Sequence, residues 1–161
     1  MAVRNVDPLV GFQFALTVDN VTGYFTEVSG IGSENAVVTH KVVTTDAKEV
    51  TLQVPGRIEW GEITFKRGLT TDFQFWTWRE EVITGDIVGA RRMVTIEMFD
   101  RNYNPVVTWT ADNAWPSKIS GPSIAADSND FAIEELTIVH EGLTRSDVAD
   151  SIPAMEPAAG A

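Results

Sequence analysis

The stretch from Ile58 to Gly85 constrains the fold most tightly, because two different hydrophobic periods meet inside it. Ile63 and Phe65 alternate with polar neighbours, which is the period-two pattern of a strand with one buried face. After this strand the apolar residues recur at helical spacing. The pattern predicts a strand followed by one helix over about residues 71–84.

The predicted helix has recognisable signals at both ends. Thr70 or Thr71 can cap its start, and Asp72 suits the positive end of the helix dipole. Gly85 is a natural stop, because glycine readily takes the left-handed conformation that ends many helices.

The same helix carries two apolar rows, which is more apolar surface than one face of a small sheet usually covers. The rows are Phe73, Trp76 and Ile83, and Phe75, Trp78 and Val82. We therefore expect the helix either to be unusually buried or to meet another subunit with part of its surface.

Alternating or Val- and Thr-rich runs predict strands through the rest of the chain. These runs are Gly11–Asp19, Gly23–Ser29, Ala36–Thr45, Arg91–Asp100, Val106–Thr110 and Phe131–His140. Thr45–Gln53 is polar and predicts a long protruding loop or a flexible hairpin, and Asn113–Ala125 predicts an irregular segment. The expected fold class is mainly β, an antiparallel β-sandwich or small barrel with one α-helix against it.

The length of 161 residues favours a single domain with its own core. Residues 1–10 predict an N-terminal arm, and residues 11–145 predict the folded domain. Residues 146–161 are rich in Ala, Pro and acidic residues, which predicts a flexible tail.

Composition excludes several classes of protein. The chain has no cysteine, so disulfides, thiolate metal sites and cysteine nucleophiles are excluded. A net charge of −11 argues against binding a nucleic-acid backbone across the outer surface. The first residues lack the pattern of a signal peptide and no apolar run is long enough to span a bilayer, so we expect synthesis in the cytoplasm.

The residues that could carry chemistry do not form a convincing site. His40 and His140 lie in separate predicted strands, and Ser29 lacks the glycine-flanked elbow of a serine nucleophile. Glu134 and Glu135 point to opposite faces of a strand, which prevents them from converging on a metal ion. We predict no catalytic residue, no cofactor and no metal, although a hydrolase using His140 is a minor alternative.

Two basic pairs and one aromatic dipeptide are candidates for contacts. The basic pairs are Lys66-Arg67 and Arg91-Arg92. They are either solvated strand ends or partners of acidic groups on a neighbouring subunit. Trp115-Pro116 predicts an anchor that lies either in the core or at an interface.

Several short motifs, taken in order, carry a resemblance to a known family. They are Asp7-Pro8-Leu9, Phe12-x-Phe14, the run Phe25 to Ile31, Pro55-Gly56-Arg57, the run Ile63 to Thr70, Phe75-Trp76-x-Trp78-Arg79, the run Asn113 to Lys118, and His140-Glu141-Gly142-Leu143. The sequence resembles the inner tube protein of contractile phage tails and of phage-tail-like contractile injection systems, which is related to the tube proteins of type VI secretion.

The resemblance implies a structural role and no cofactor. It implies hexameric rings that stack into a hollow tube, a contractile sheath around that tube, and DNA or an effector protein passing through the lumen. Further implied partners are the baseplate, its spike and the tube-terminating proteins, in an assembled virion tail or injection particle. A monomeric β-sandwich binding module, using Trp115 and the loop near residue 50, is the alternative.

The resemblance also suggests where subunits meet. The segment Thr45–Gly56 resembles the long β-hairpin loop that contributes to ring stacking in the family, and the N-terminal arm is placed to reach a neighbour. The candidate subunit-interface residues are Asp7, Pro8, Asp46, Lys48, Glu49, Arg57, Lys66, Arg67, Trp115 and Glu141.

Overall fold

The computed structural model describes residues 13–68, 71–122 and 132–147. Within these ranges it contains ten strands and two helices. In chain order they are β1 (Gln13–Val18), β2 (Val21–Phe25), β3 (Glu27–Ser29), β4 (Ser33–Val43), β5 (Glu49–Trp60), β6 (Ile63–Gly68), α1 (Gln74–Ile83), α2 (Ile87–Ala90), β7 (Arg92–Phe99), β8 (Pro105–Ser120), β9 (Ile133–Val139) and β10 (Gly142–Asp147). The predicted mainly β fold with a helix in mid-chain is confirmed.

Most of the strands form an antiparallel barrel. Pairing runs in the order β2-β1-β7-β8-β9-β6-β3, and β10 pairs with β8. Only Thr26 separates β2 from β3, so the two ends of this order meet, and the Thr26 N–H donates to the Lys66 carbonyl on β6 at 3.0 Å. Strand β8 serves both halves of the barrel, since residues 105–114 pair with β7 and residues 115–120 pair with β9.

Aromatic side chains from three elements meet in the core. Phe25 of β2 lies 5.1 Å from Phe65 of β6 and 5.8 Å from Phe75 of α1, measured between ring centroids. All three side chains are almost completely buried. Aliphatic residues of β1, β7 and β9 complete this cluster, so the helix closes one side of the barrel.

Helix α1 begins later than predicted, and without the predicted threonine cap. Its N-cap is Phe73, and no side chain caps the helix. Thr71 is therefore not the cap, and Thr70 lies outside the described residues. Asp72 still supports the first turn by accepting a hydrogen bond from the Gln74 N–H at 3.1 Å. The predicted stop is confirmed, because Gly85 follows the helix with a φ of 95°.

The two apolar rows of the helix have different surroundings. Phe75 and Trp78 are buried, whereas Phe73 and Ile83 are largely exposed, at 70% and 69%. Trp76 is also exposed on one side. The row that begins with Phe75 therefore packs on the barrel, and the row that begins with Phe73 faces outward.

The predicted loop over Thr45–Gln53 is the end of a long regular hairpin. Among the described strands, β4 and β5 pair with each other alone and form a separate two-stranded sheet. A register shift between Asn35 and Val37 leaves Ala36 opposite Gly56 and Arg57, so β5 carries one extra residue there. Of the two forms that the sequence left open, the hairpin is the observed one.

The predicted irregular segment Asn113–Ala125 is wrong over its first half, because β8 continues to Ser120. Asn113 has a φ of 49° and lies at a register shift against β7, so one extra residue enters the ladder without ending the strand. Pro116 is accommodated beside another register shift, against β9. The residues from 123 to 125 lie outside the described part of the chain.

The last strand is β10, which the sequence analysis missed. Strand β9 ends at Val139 close to the predicted end, but the chain then pairs with β8 again from Gly142 to Asp147. This strand passes the predicted start of the tail at residue 146. The predicted arm over residues 1–10, including Asp7 and Pro8, and residues 148–161 of the tail lie outside the described residues.

Candidate assembly surface

The β4–β5 hairpin projects an apolar face into solvent. Three cross-strand pairs share this face: Val38 with Val54, His40 with Leu52, and Val42 with Val50. The exposed fractions of Val38, Val50, Leu52 and Val54 lie between 38% and 53%. The middle of the opposite face is polar, with Thr39 beside Gln53 and Lys41 beside Thr51. An amphipathic sheet of this kind has one face that lacks a partner within the described chain.

The tip of the hairpin carries three of the predicted interface residues. The Thr44 N–H donates to the Lys48 carbonyl at 2.9 Å, and the Ala47 N–H donates to the Thr44 carbonyl at 2.9 Å. Ala47 has a φ of 58°, which gives a tight turn that leaves Asp46 and Lys48 exposed. Glu49 lies just below the turn, where its carboxylate is 3.3 Å from the Lys41 ammonium.

Three other predicted interface residues lie on β5, β8 and the turn after β9. Arg57 is exposed on β5, towards the base of the hairpin. Trp115 is half-buried on β8 opposite Val139. Glu141 is exposed and accepts a hydrogen bond from the Asn113 amide at 2.9 Å. Asp46, Lys48 and Glu49 are therefore brought together at the tip, and Trp115 and Glu141 lie near each other where β8 pairs with the end of β9.

The Trp115-Pro116 dipeptide is divided between two environments. Pro116 is fully buried, while Trp115 remains partly exposed on the outer side of β8. Of the two residues of the predicted anchor, Pro116 is therefore the one that lies in the core. The indole is left available for contact.

The basic pair Lys66-Arg67 is also divided. Lys66 is partly exposed, with its ammonium 3.8 Å from the Glu27 carboxylate. Arg67 is only 5% exposed and donates from Nε to Glu134 at 2.8 Å. Its guanidinium also lies 5.2 Å from the ring centroid of Phe75. The interpretation of Arg67 as a solvated strand end is therefore wrong, because its partner lies in the interior of its own chain.

The second basic pair lies where α1, α2 and β7 meet. Arg92 donates two hydrogen bonds to the Glu81 carboxylate, at 2.8 Å and 2.7 Å, and lies 3.3 Å from Asp19. Arg91 is exposed. Arg92 thus pairs with carboxylates of its own chain.

The histidines and carboxylates do not converge on a reaction centre in the described residues. His140 is buried, its ring lies 5.7 Å from that of Trp60, and neither ring nitrogen has a hydrogen-bond partner in the described part of the chain. His40 is exposed on the hairpin. No group of three or more histidine, aspartate and glutamate side chains in residues 13–68, 71–122 and 132–147 is placed to hold a metal ion. None of the described helices has the length and apolar character to cross a membrane.

Helix α2 adds to the outward apolar surface and was not predicted. Asp86 caps it by accepting a hydrogen bond from the Gly89 N–H at 3.0 Å. Its residues Ile87 and Val88 are exposed, at 47% and 86%. The Asp86 cap before an apolar pair was the available signal, but four residues are too few to give a helical period.

Comparison with solved structures shows the same fold in tube-containing particles. A chain of the PVC sheath-tube complex, an extracellular contractile injection system, is similar with a TM-score of 0.67 and 20% identity, covering 88% of this chain and 93% of that one. A chain of the anti-feeding prophage baseplate is similar with a TM-score of 0.68 and 19% identity, covering 92% and 99%. Hcp1 from Flavobacterium johnsoniae is similar with a TM-score of 0.53 and 14% identity, covering 83% and 94%.

Comparison at the level of sequence shows the family to which the chain belongs. No curated protein sequence matches the chain. The family model for the T4-like virus tail tube protein gp19 matches residues 10–144. That match spans all of the described barrel, the hairpin and the helices up to the middle of β10. The chain therefore belongs to the T4-like virus tail tube protein family.

Proposed function

We propose that the protein is the structural inner tube subunit of a contractile injection system or a contractile phage tail. Six copies form a ring, rings stack into a hollow tube, and the lumen conducts cargo when a contracting sheath propels the tube. Membership of the tail tube family supports this role. The proposed role is mechanical and requires no catalysis.

The observation that carries the proposal is the exposed apolar face of the β4–β5 hairpin. Val38, Leu52 and Val54 lie on a sheet that extends away from the barrel and has no described element over it. Exposed apolar surface of this kind marks a site of association, because water is released when another surface covers it. Contact with a second copy would cover the face in every subunit of a ring or stack.

The edge of β10 gives a second reason to expect association. Among the described strands β10 pairs with β8 alone, so its other edge presents unpaired backbone groups. Joining this edge to a neighbouring subunit would satisfy those groups and extend the sheet around a channel. A head-to-tail contact of this type closes into a ring when a whole number of copies completes one full turn.

The partners follow from the particles that share this fold. The similar solved structures come from a sheath-tube complex, a sheath/tube terminator and a baseplate. We propose corresponding partners here: a contractile sheath protein, baseplate and spike proteins, and a tube-terminating protein. The outward row of α1 and α2, including Phe73, Ile83 and Val88, is apolar surface that such a partner can cover.

Electron microscopy of the purified protein in negative stain, with light scattering for mass, tests the proposal. We expect six-fold rings or hollow tubes. Leu52→Glu places a carboxylate on the apolar face and should abolish assembly, because a charge in a dry contact is costly. Thr51→Glu makes the same charge change on the polar face next to it and serves as the matched control.

A monomeric result is followed by addition of the sheath and baseplate proteins encoded beside the gene. A particle that stays monomeric in their presence would contradict the proposal. It would favour the alternative, a monomeric binding module that uses Trp115 and the hairpin.

A further inference from the structure

The root of the β4–β5 hairpin, residues 30–34 and 59–61, is in contact with a buried histidine of the barrel. Trp60 is the last residue of β5, and the centroid of its ring lies 5.7 Å from that of His140, with 54° between the ring planes. His140 follows β9 and is only 8% exposed. Aromatic rings at this separation attract each other. The pair therefore joins the two-stranded sheet of the hairpin to the barrel.

The two ring nitrogens of His140 make this contact sensitive to charge. Both nitrogens are buried, and neither has a hydrogen-bond partner in the described part of the chain. A neutral imidazole has one N–H and one acceptor nitrogen, whereas a protonated imidazole has two donors and a positive charge. A buried charge without an acceptor costs far more free energy than a buried neutral group. The closed contact with Trp60 therefore favours the neutral ring.

The charged residues around the contact are mostly acidic. Those nearest to it along β4, β5, β8 and the turns after β5 and β9 are Glu34, Arg57, Glu59, Glu62, Asp112 and Glu141. None of them is hydrogen bonded to His140, and the Glu141 carboxylate accepts from the Asn113 amide instead. If the root opened, water and these carboxylates would surround the imidazole and favour its protonated form.

The root has the backbone freedom and the space that opening requires. Gly32 precedes β4 and Gly61 follows β5, and the Gly61 N–H donates to the Gly32 carbonyl at 3.1 Å. Glycine in both legs of the root permits a change of backbone direction, because it has the widest range of backbone angles. A cavity of about 350 Å³, lined by residues 30–34 and 59–61, gives the Trp60 ring room to leave His140.

We propose that His140 and Trp60 form a proton-sensitive latch at the root of the hairpin. At neutral pH the unprotonated imidazole packs on Trp60 and the root is closed. Histidine is the side chain that ordinarily gains its charge between about pH 8 and pH 5. A proton on His140 favours the open root, in which Trp60 leaves the histidine and the hairpin changes its angle to the barrel. Since the open form binds more protons than the closed form, the closed form loses stability as the pH falls.

The latch lies within one chain, so it is tested without assembly. Thr39→Cys on β4 and Thr22→Cys on β2 supply two exposed sites for spin labels, and the sequence has no other cysteine. The Leu52→Glu substitution on the apolar face keeps the copies apart, which light scattering verifies. Dilution with unlabelled protein restricts the measured distances to one chain. Pulsed electron paramagnetic resonance then gives the distance distribution at about pH 8 and about pH 5.

We expect one narrow distance at the higher pH and a second, separate distance at the lower pH, with an unchanged far-ultraviolet circular dichroism spectrum. His140→Leu and His140→Gln remove the proton acceptor and should keep the narrow distance at both pH values. His40→Gln is the matched control, because His40 is the other histidine and is exposed on the hairpin, so this variant should respond like the parent. Trp60→Ala should give the second distance even at the higher pH.

Two results would overturn the latch. One is a folded parent protein whose distance distribution is the same at both pH values. The other is a response to acid that persists in both His140→Leu and His140→Gln, because the proton would then bind elsewhere. Neither result bears on the tube function, which is tested by electron microscopy of the protein without the Leu52→Glu substitution.

Discussion

Glu134 accepts a hydrogen bond from Arg67 Nε at 2.8 Å inside the barrel, where the two residues are 2% and 5% exposed. The two residues are direct cross-strand partners on β9 and β6. The indole N–H of Trp76 donates to the second carboxylate oxygen, which ties the helix to the same pair. The ion pair therefore joins the helix to two strands of the barrel.

Removing one member of this pair should be strongly destabilising. Glu134→Leu leaves the Arg67 charge buried without a counter-charge, and the expected loss is about 3–5 kcal/mol in the free energy of unfolding. The Arg67→Met/Glu134→Leu double variant should recover most of this loss, because two apolar side chains of similar volume need no charge compensation. Equilibrium unfolding in urea at one protein concentration measures both.

The exposed pair of Lys66 and Glu27 provides the matched control. It joins the same strand β6 to β3, but the atoms are 3.8 Å apart and both side chains are solvated. Glu27→Leu should therefore cost no more than about 1 kcal/mol. Equal losses in Glu27→Leu and Glu134→Leu would show that burial does not set the strength of the inner pair.

The two apolar rows of α1 predict opposite results for two phenylalanines. Phe75 is 2% exposed and packs on Phe25, so Phe75→Ala should cost about 3–5 kcal/mol. Phe73 is 70% exposed, so Phe73→Ala should change the stability of the subunit by no more than about 0.5 kcal/mol. Thermal unfolding of the two variants side by side measures the difference. A large loss in Phe73→Ala would show that its ring is covered within the subunit.

The alternation of the strands contains enough information to predict the inner ion pair between Arg67 and Glu134. Arg67 follows Ile63 and Phe65 at period two, and Glu134 precedes Leu136 in the same way, so alternation alone places both charges on core-facing positions. Two opposite charges on core faces of two strands predict a buried pair. Taken as one basic pair, Lys66-Arg67 instead indicates either a solvated strand end or a partner of acidic groups on a neighbouring subunit, and both interpretations leave out the alternation of the strand.

Other features of the fold differ in how far the sequence predicts them. The family resemblance is confirmed by the match over residues 10–144, and the strand–helix order around Ile63 is confirmed by β6 and α1. The full length of β8 could not be predicted from the sequence, because Asn113 and Pro116 are residue types that usually end a strand. Only the pairing with β7 and β9 shows that they lie at register shifts within it. The interface residues remain predictions, since they depend on a second copy.

The glycine that joins the barrel to the hairpin should not tolerate a side chain. Gly30 has a φ of 84°, and an added Cβ would overlap the backbone oxygen of Glu62. Gly30→Ala should therefore cost at least about 1–3 kcal/mol, the penalty for a left-handed conformation in a non-glycine residue, with the overlap adding to it. Urea unfolding measures the loss.

Gly32 is the natural control for this substitution. It lies two residues further on, and an added Cβ meets nothing within 4 Å. Gly32→Ala should stay within about 0.5 kcal/mol of the parent. If both variants unfold at the same denaturant concentration, the close approach at Gly30 does not constrain the base of the hairpin.

The turn between β7 and β8 should give the protein a pH-dependent contribution to stability. Asp100 accepts hydrogen bonds through Oδ1 from the Asn104 N–H at 3.0 Å and the Asn102 N–H at 2.8 Å. The hydrogen bond from the Asn104 N–H holds the pKa of Asp100 below its usual range; desolvation opposes it, and the Asn102 N–H and the Asn104 side chain add to it. The folded state therefore favours the charged carboxylate.

The sign of the pH dependence follows from this lowered pKa. The stabilisation is fully present above the pKa of the unfolded chain, about 3.9 for aspartate, and is lost as the pH falls through the lower folded value. Asp100→Asn has no carboxylate to ionise, so it should be less stable than the parent at about pH 7 and should approach the parent's stability at a pH below the folded pKa of Asp100. Urea midpoints of both proteins at these two pH values measure the change. A difference that is equally large at both would mean that the charge of Asp100 contributes nothing, and that only the shape of the turn is affected by the substitution.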